Sequence, residues 1–316
     1  MENQAKSGVF KYQHSWSITQ TLENLVTALK DGWDISISTS GSSGKPKEIL
    51  IPASAMIFSA RNSNNYVGAK PGDRWSLLLS PEHAAGLNIL VRSIELGTTP
   101  VTVNETADFT AIVPTQLFRA LNGDIKLLKH LQGCKAILVG GAAADEALLE
   151  LANNNGLNCV TTYGMTETSG GCVYNGEPLP QVEIRIDETI EIKGPMLARV
   201  ELKDGFFVTQ DAGRFENGKL IVLGRIDDVI NSGGKKVSLS KVESALGEDF
   251  AAFESKNSEW GSALNIATTS RMSDEEIQLV LSVKFGVKAL RIHRVPEIPR
   301  TALLKVDRLA LDKLIS

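Results

Sequence analysis

Ala136-Ile137-Leu138-Val139-Gly140 and Leu157-Asn158-Cys159-Val160-Thr161-Thr162-Tyr163-Gly164 are two apolar runs separated by a stretch of helical spacing near 143–153. Short apolar runs closed by turn residues read as buried strands, and the strand–helix–strand order reads as a unit of a parallel sheet. The alternation extends upstream. Ile18, Leu22, Leu25, Val26 and Leu29 repeat at helical spacing before the strand WDISI (33–37). EILI (48–51) precedes a helix from about Ala53 to Asn64, and WSLLL (75–79), a helix near 85–96, TPVTV (99–103) and TAIVP (110–114) follow. Between Val182 and Leu223 the pattern changes to VEIRI, TIEIKG, ARVEL, GFFVT and KLIVLG, which predicts an antiparallel sheet or small barrel. Beyond it lie a helix over 239–247, strands near 263–268 and 279–283, and a basic, loop-rich end. The expected fold class is α/β: a large N-terminal α/β body with a small β-barrel-like part, over residues 1–227, and a small α+β C-terminal domain over 228–316.

With 316 residues, 42% of them hydrophobic, the chain can bury a core, which excludes disorder and collagen-like repeats. Its 33 basic and 37 acidic side chains leave a net charge of −4, with no electrostatic reason to expect nucleic acid or a membrane surface as partner. No apolar run approaches the ~18 residues of a membrane-spanning helix, and MENQAKSGVFKYQ lacks the apolar core of a secretory signal. Cys134, Cys159 and Cys172 form neither a disulfide framework nor a zinc site. A cytoplasmic protein acting on small molecules is expected. Residues 1–227 carry 20 basic and 25 acidic side chains and residues 228–316 carry 13 and 12, so a slightly basic tail follows an acidic body, as suits a shared phosphate-bearing ligand.

Five segments carry candidate chemistry. Ser38-Thr39-Ser40-Gly41-Ser42-Ser43-Gly44-Lys45-Pro46-Lys47 lies between two strands and concentrates hydroxyls, glycines and lysines. Glycines let successive backbone N–H groups face an anion, and hydroxyls and lysine add donors and charge. It is not a Walker A loop, which needs Gly at 39 and Ser or Thr at 46. Thr161–Thr168 places Tyr163, Gly164, hydroxyls and Glu167 at the end of a strand, where open α/β sheets bind ligands. Tyr163 can stack on a base, and Glu167 can hold Mg²⁺. Asp211 follows the strand GFFVT, where a carboxylate can accept ribose hydroxyls. Gly224–Val237 is a charged, glycine-containing stretch on the expected domain boundary, and Pro299–Arg308 closes the chain. Each segment alone also reads as an ordinary turn or solvated surface.

Together, in this order, these segments resemble the adenylate-forming superfamily of acyl-CoA synthetases, luciferases and peptide-synthetase adenylation domains. Thr39–Lys47 resembles its phosphate loop, Tyr163–Glu167 its Tyr-Gly-x-Thr-Glu segment and Thr209–Asp211 its Thr-Gly-Asp. Gly224–Asp228 resembles its hinge and Pro299–Lys305 its catalytic-lysine motif. Leu79–Ser93, Val113–Leu117 and Thr161–Gly176 are similar, more narrowly, to short o-succinylbenzoate–CoA ligases of menaquinone synthesis, and the modest length before the phosphate loop agrees.

The resemblance implies ATP, Mg²⁺ and CoA as co-substrates, an aromatic carboxylic acid as acyl donor, and two half-reactions. Thr39, Ser40, Gly41, Ser42, Ser43, Gly44 and Lys47 would hold the β- and γ-phosphates, and Glu167 the Mg²⁺. Thr166 would contact the α-phosphate, Gly141, Tyr163 and Gly164 would line the adenine site, and Asp211 with Arg225 would hold the ribose. Lys305 would bridge the attacking carboxylate and the ribose oxygens. Rotation of a mobile C-terminal domain about Asp227 would then bring Ser232, Gly233, Gly234 and Lys235 to the pantetheine path. His83 would lie near the acyl carboxylate or the CoA tunnel, and Arg92, Thr115 and Gln116 would bind the carboxylate that is not activated. Gln210 and Leu304 stand where glycine is usual. The short N-terminus raises the expectation of a homodimer completing the acyl pocket. Rival readings are a ligase for another aromatic acid and an adenylate-binding regulator without turnover.

Overall fold

The computed structural model describes residues 8–40, 46–142, 144–257, 261–300 and 306–315. The chain divides into two compact units: Met1–Asp187 with Glu191–Thr209 and Phe215–Ile221, and Glu188–Ile190 with Gln210–Arg214 and Val222–Ser316.

In the first unit a six-stranded sheet runs in the order Trp75–Ser76, Phe109–Ile112, Ala136–Val139, Cys159–Met165, Gly170–Tyr174, Glu177–Pro178. The first four strands are parallel and the last two antiparallel. Parallel neighbours need crossovers, and the helices Ala84–Glu95, Pro114–Leu121, Ile125–Gln132 and Glu146–Asn154 lie in them. Phe109–Ile112 and Ala136–Val139 are buried at every position, so their sequences show continuous apolar runs rather than alternation. Trp75, Phe109, Leu138 and Tyr174 belong to one core cluster of this unit, and Ile112, Leu117, Ile137 and Val139 to another.

A second sheet of Val9–Lys11, Asp34–Ser40 and Pro46–Pro52 buries Ile35, Ile37, Ile49 and Ile51 with the helices Ile18–Lys30 and Ala53–Tyr66. Its last two strands flank residues 41–45 and pair antiparallel as far as Ser40 opposite Pro46. Two expected strands are cut back. WSLLL is a strand only at Trp75–Ser76, and TPVTV contributes one isolated bridge, Val101 to Ser76, because its backbone bonds with the neighbouring strand only around that residue. Between 182 and 225 the sheet-or-barrel alternative resolves into a three-stranded sheet, Glu183–Ile186, Ile190–Lys193 and Phe207–Val208, and a two-stranded one, Asp211–Glu216 with Lys219–Arg225. No closed barrel occurs among the described residues.

The second unit carries the hairpin Val229–Ser232/Lys235–Ser238, the sheet Phe250–Asn257, Gly261–Thr268, Arg291–Arg294, and the helices Leu239–Leu246, Asp274–Phe285 and Arg308–Ile315. Residues 279–283, expected as a strand, are helical. Ser273 and Glu276 form a capping box, Asp274 and Glu275 fill the acidic first turn, and Gly286, at φ 66°, ends the helix. Ile277 and Leu281 are buried while Leu279 and Val283 face solvent, whereas a strand would put all four on one face.

A charged cluster ties this unit together. The Arg308 guanidinium donates to Asp228 (3.2 Å), Glu243 (3.0 Å) and the Ala252 carbonyl (3.2 Å), and Glu243 also accepts the Ala252 N–H. Burial pushes the Glu243 carboxyl up to about 7, with Asp228 adding to the rise and Arg308, the Ala252 N–H and Arg300 opposing it. An acid with a raised folded-state pKa loses stability as pH climbs from the ordinary carboxylate range towards that value, since only the unfolded chain has released its proton there. The second unit should therefore become less stable between about pH 5 and 7. Glu243→Gln should flatten that slope in thermal unfolding followed across pH; equal slopes in both proteins would remove Glu243 as its source.

Candidate active site

Tyr163, Gly164, Thr166 and Glu167 sit where the strand Cys159–Met165 reverses into Gly170–Tyr174. The register shifts between Tyr163 and Gly164, and a Cβ on Gly164 would lie 2.1 Å from the Gly170 carbonyl oxygen. Only glycine allows the strands to approach so closely. Between them Thr166–Thr168 forms a 3₁₀ turn, closed by Ser169 N–H donating to the Thr166 carbonyl (3.0 Å). The Thr168 hydroxyl accepts the Met165 N–H (2.9 Å) and donates to the Gly170 carbonyl (2.7 Å).

Ala198 N–H donates to the Glu167 carbonyl, and Arg199 N–H to that of Leu50, both at 2.8 Å. Segment 198–199 thus links the turn to the strand Pro46–Pro52, which carries exposed Lys47. The Thr39 hydroxyl donates to the Lys47 carbonyl across this hairpin (3.2 Å). Gly41–Gly44 lie outside the described residues, as does the side chain of Ser40. Gly141, at φ 81°, follows the strand Ala136–Val139. Glu167 is half-buried, and its carboxylate has no side-chain partner among the described residues. A free carboxylate beside a hydroxyl suits Mg²⁺, which takes one or two protein carboxylates and completes its shell with substrate phosphates and water. No group of three or more metal-binding side chains occurs among the described residues, as such a phosphate-borne ion requires none.

His83 caps the helix Ala84–Glu95 with its backbone; its Nε2 is buried without a hydrogen-bond partner, and burial lowers its pKa, favouring the neutral ring. Arg92 lies on the same helix, nine residues or roughly 13 Å further along its axis. It is 3% exposed, with its guanidinium 4.7 Å from the Trp75 ring and Nε and Nη1 unpartnered. Burial lowers its pKa, opposed by Tyr174. Thr115, in the first turn of Pro114–Leu121, has its Oγ1 buried without a partner. Gln116 is engaged within the protein. Its amide donates to the Leu78 carbonyl (2.9 Å) and its Oε1 accepts the Val113 N–H (3.1 Å), so the carboxamide is occupied in capping the helix.

In the second unit Asp211 begins one strand of the two-stranded sheet and Arg225 ends the other. Arg225 donates to the side chain of Gln210, and Ile226 N–H to the Gln210 carbonyl (2.8 Å), giving that non-glycine residue a local role. Gly233 and Gly234, at φ 60° and 81°, form the two-residue turn of a hairpin that pairs Ser232 with Lys235. This backbone calls for glycine whatever binds nearby, and a Cβ at either position would meet nothing within 4 Å. The Ser232 hydroxyl accepts the Leu264 N–H (3.1 Å), and Lys235 donates to the Gly286 carbonyl (2.9 Å). Asp227 falls in the 3₁₀ turn Ile226–Asp228, and its side chain is outside the described residues, as are Leu304 and Lys305.

A cleft of about 570 Å³ in the first unit is lined by Leu149, Asn153, Cys159, Thr161, Asn175 and Lys219 among others, on the strand that carries Tyr163. Burial raises the Cys159 thiol to about 11, leaving it unreactive. Sequence spacing did not single out Ser59, Asn88 or Ser169, which form a buried network beneath the Glu167 turn. Its one visible trace is an asparagine amid the apolar run Leu87–Val91.

The description AMP-binding enzyme matches residues 35–204. The chain belongs to this family. A probable 2-succinylbenzoate–CoA ligase of Mycobacterium tuberculosis is 34% identical over 92% of this chain and 88% of its own length. The Listeria monocytogenes 2-succinylbenzoate–CoA ligase is 27% identical over 89% of this chain and 71% of its own. Among solved structures, the Bacillus subtilis o-succinylbenzoate CoA synthetase in complex with the acyl-adenylate intermediate superposes with a TM-score of 0.76 at 25% identity, covering 88% of this chain and 68% of that one. The AMP form of that enzyme, 24% identical, gives 0.77 with the same coverages and shares the fold.

In this AMP-binding enzyme, Gly164→Ala should cost about 1–3 kcal/mol in urea unfolding, the scale for overpacking. Unchanged stability would mean that the strand reversal relaxes around the added methyl.

Proposed function

We propose that the chain is an ATP-dependent 2-succinylbenzoate–CoA ligase of menaquinone synthesis. The reading rests on similarity across 92% of the chain to a protein of that name. In the first half-reaction a substrate carboxylate oxygen attacks the α-phosphorus of ATP and the bond to pyrophosphate breaks, giving acyl-AMP. Two anions meet, so charge neutralisation dominates the barrier. Thr39–Gly44 and Lys47 hold the β- and γ-phosphates, Thr166 the α-phosphate, Gly141, Tyr163 and Gly164 the adenine, and Asp211 with Arg225 the ribose. Glu167 holds Mg²⁺, which offsets phosphate charge when bound. Lys305 bridges the attacking carboxylate and the ribose, and neutral His83 lies by the acyl carboxylate.

In the second half-reaction the CoA sulfur, having lost its proton, attacks the acyl carbonyl and AMP leaves. Asp227 acts as the hinge between residues 1–227 and 228–316, and Ser232–Lys235 line the thiol's route. The enzyme is cytoplasmic; no helix among the described residues is long and apolar enough to cross a membrane. The homodimer is proposed on the sequence alone, and sedimentation equilibrium reads it directly.

2-Succinylbenzoate keeps a second carboxylate after activation. A buried, unpaired guanidinium is costly unless a ligand supplies its counter-charge, and Arg92 is such a group. It pairs the spectator carboxylate, and the unpartnered Thr115 hydroxyl donates to the same group. Gln116 is assigned to the helix cap.

ATP–pyrophosphate exchange should depend on 2-succinylbenzoate and fall by about 10²–10³ in Lys305→Ala, the scale for one transition-state donor. Absence of AMP formation from ATP, Mg²⁺, CoA and this acid would overturn the reading. Arg92→Ala should raise the KM for the acid by about tenfold or more, the worth of a charged hydrogen bond; an unchanged KM would remove Arg92 from the role.

A further inference from the structure

We propose that Asn88 is a positioning residue for the turn bearing Thr166 and Glu167, holding that turn at a fixed spacing from the helix that begins at His83. The proposal rests on the reading of Glu167 as the Mg²⁺ ligand. Asn88 is fully buried in the middle of Ala84–Glu95. Its Nδ2 donates to the Ser169 carbonyl (2.7 Å) and the Ser59 hydroxyl (3.0 Å), and Ser59 itself donates to the same carbonyl (3.0 Å). Two side chains from two helices thus converge on one backbone oxygen. Oδ1 of Asn88 is buried without a partner, so the amide is oriented through its Nδ2, which also lies 3.6 Å from the Met56 sulfur.

Ser169 occupies the left-handed region at φ 55°, unusual for a residue with a side chain and maintained only where the surroundings hold it. Its hydroxyl donates to the Met196 carbonyl (2.6 Å), and its N–H closes the Thr166 turn. With Thr168 and Ala198 also engaged, the turn backbone is held from beneath while the Glu167 carboxylate has no side-chain partner among the described residues. An apolar residue at 88 would fill the same space between Leu87 and Ile89 without the cost of burying an amide. The amide makes hydrogen bonds that such a residue could not, to the Ser59 hydroxyl and, shorter, to the Ser169 carbonyl.

The test separates positioning from mere stability. Asn88→Ala should raise the Mg²⁺ concentration for half-maximal pyrophosphate exchange by about three- to tenfold, the worth of one buried hydrogen bond. Thioester formation from supplied acyl-adenylate and CoA, which keeps the α-phosphate that Thr166 holds but needs no metal-bound triphosphate, should fall clearly less than pyrophosphate exchange does. Ser59→Ala, which leaves one donor on the carbonyl, should give a smaller shift in the same direction and serves if Asn88→Ala does not fold. Leu90→Ala, a cavity on the same helix, should lower Tm without moving the Mg²⁺ requirement. Equal loss in both half-reactions, or a Mg²⁺ shift matched by Leu90→Ala, would overturn the proposal. Calorimetric titration with ATP at several Mg²⁺ concentrations needs no acid and stands whichever acid the enzyme takes. Wild-type Mg²⁺ dependence of Asn88→Ala in that titration would overturn the proposal while leaving the ligase reading intact.

Discussion

The strand Cys159–Met165 folds back on Gly170–Tyr174 with no space for a side chain between Gly164 and the Gly170 carbonyl. The placement of Thr166 and Glu167, proposed to meet the phosphates and their metal ion, depends on that close approach. The approach forces a 3₁₀ turn at Thr166–Thr168, puts Ser169 into a left-handed conformation and brings two half-exposed polar side chains to the end of a parallel sheet. The sheet supplies rigidity, since its central strands are buried on both faces, and the turn converts that rigidity into a fixed place for one carboxylate.

The helix Ala84–Glu95 serves the site at three levels. Its start presents an imidazole whose pKa burial lowers, its middle braces the Glu167 turn, and its far end carries a guanidinium 4.7 Å from the Trp75 ring. The distance between start and end, roughly 13 Å by helix rise, suits an elongated acid with one carboxylate reacting and another held at depth.

Much of this was legible in the sequence, for reasons that differ by element. The parallel strands were visible because burial on both faces leaves unbroken apolar runs, and Tyr163–Glu167 because a glycine between polar residues after such a run marks a functional reversal. The helix Asp274–Phe285 was misread because Leu279-Val280-Leu281 looks like a strand to anyone counting apolar residues; its capping box was the stronger signal. The capping bonds of Gln116 were not legible, because a glutamine three residues into a helix serves as well for capping as for binding. Asn88 was invisible because a single buried amide has no periodicity, and its partners lie 29 and 81 positions away.

The glycine pair at 233–234 looks like a cofactor signature, yet both residues occupy backbone conformations that the hairpin itself requires. A descendant of this protein that had stopped handling thiols would still need both glycines to keep its second unit folded. Within the family, then, these two positions report on folding, and loss of function would be recorded first at residues that the scaffold does not need.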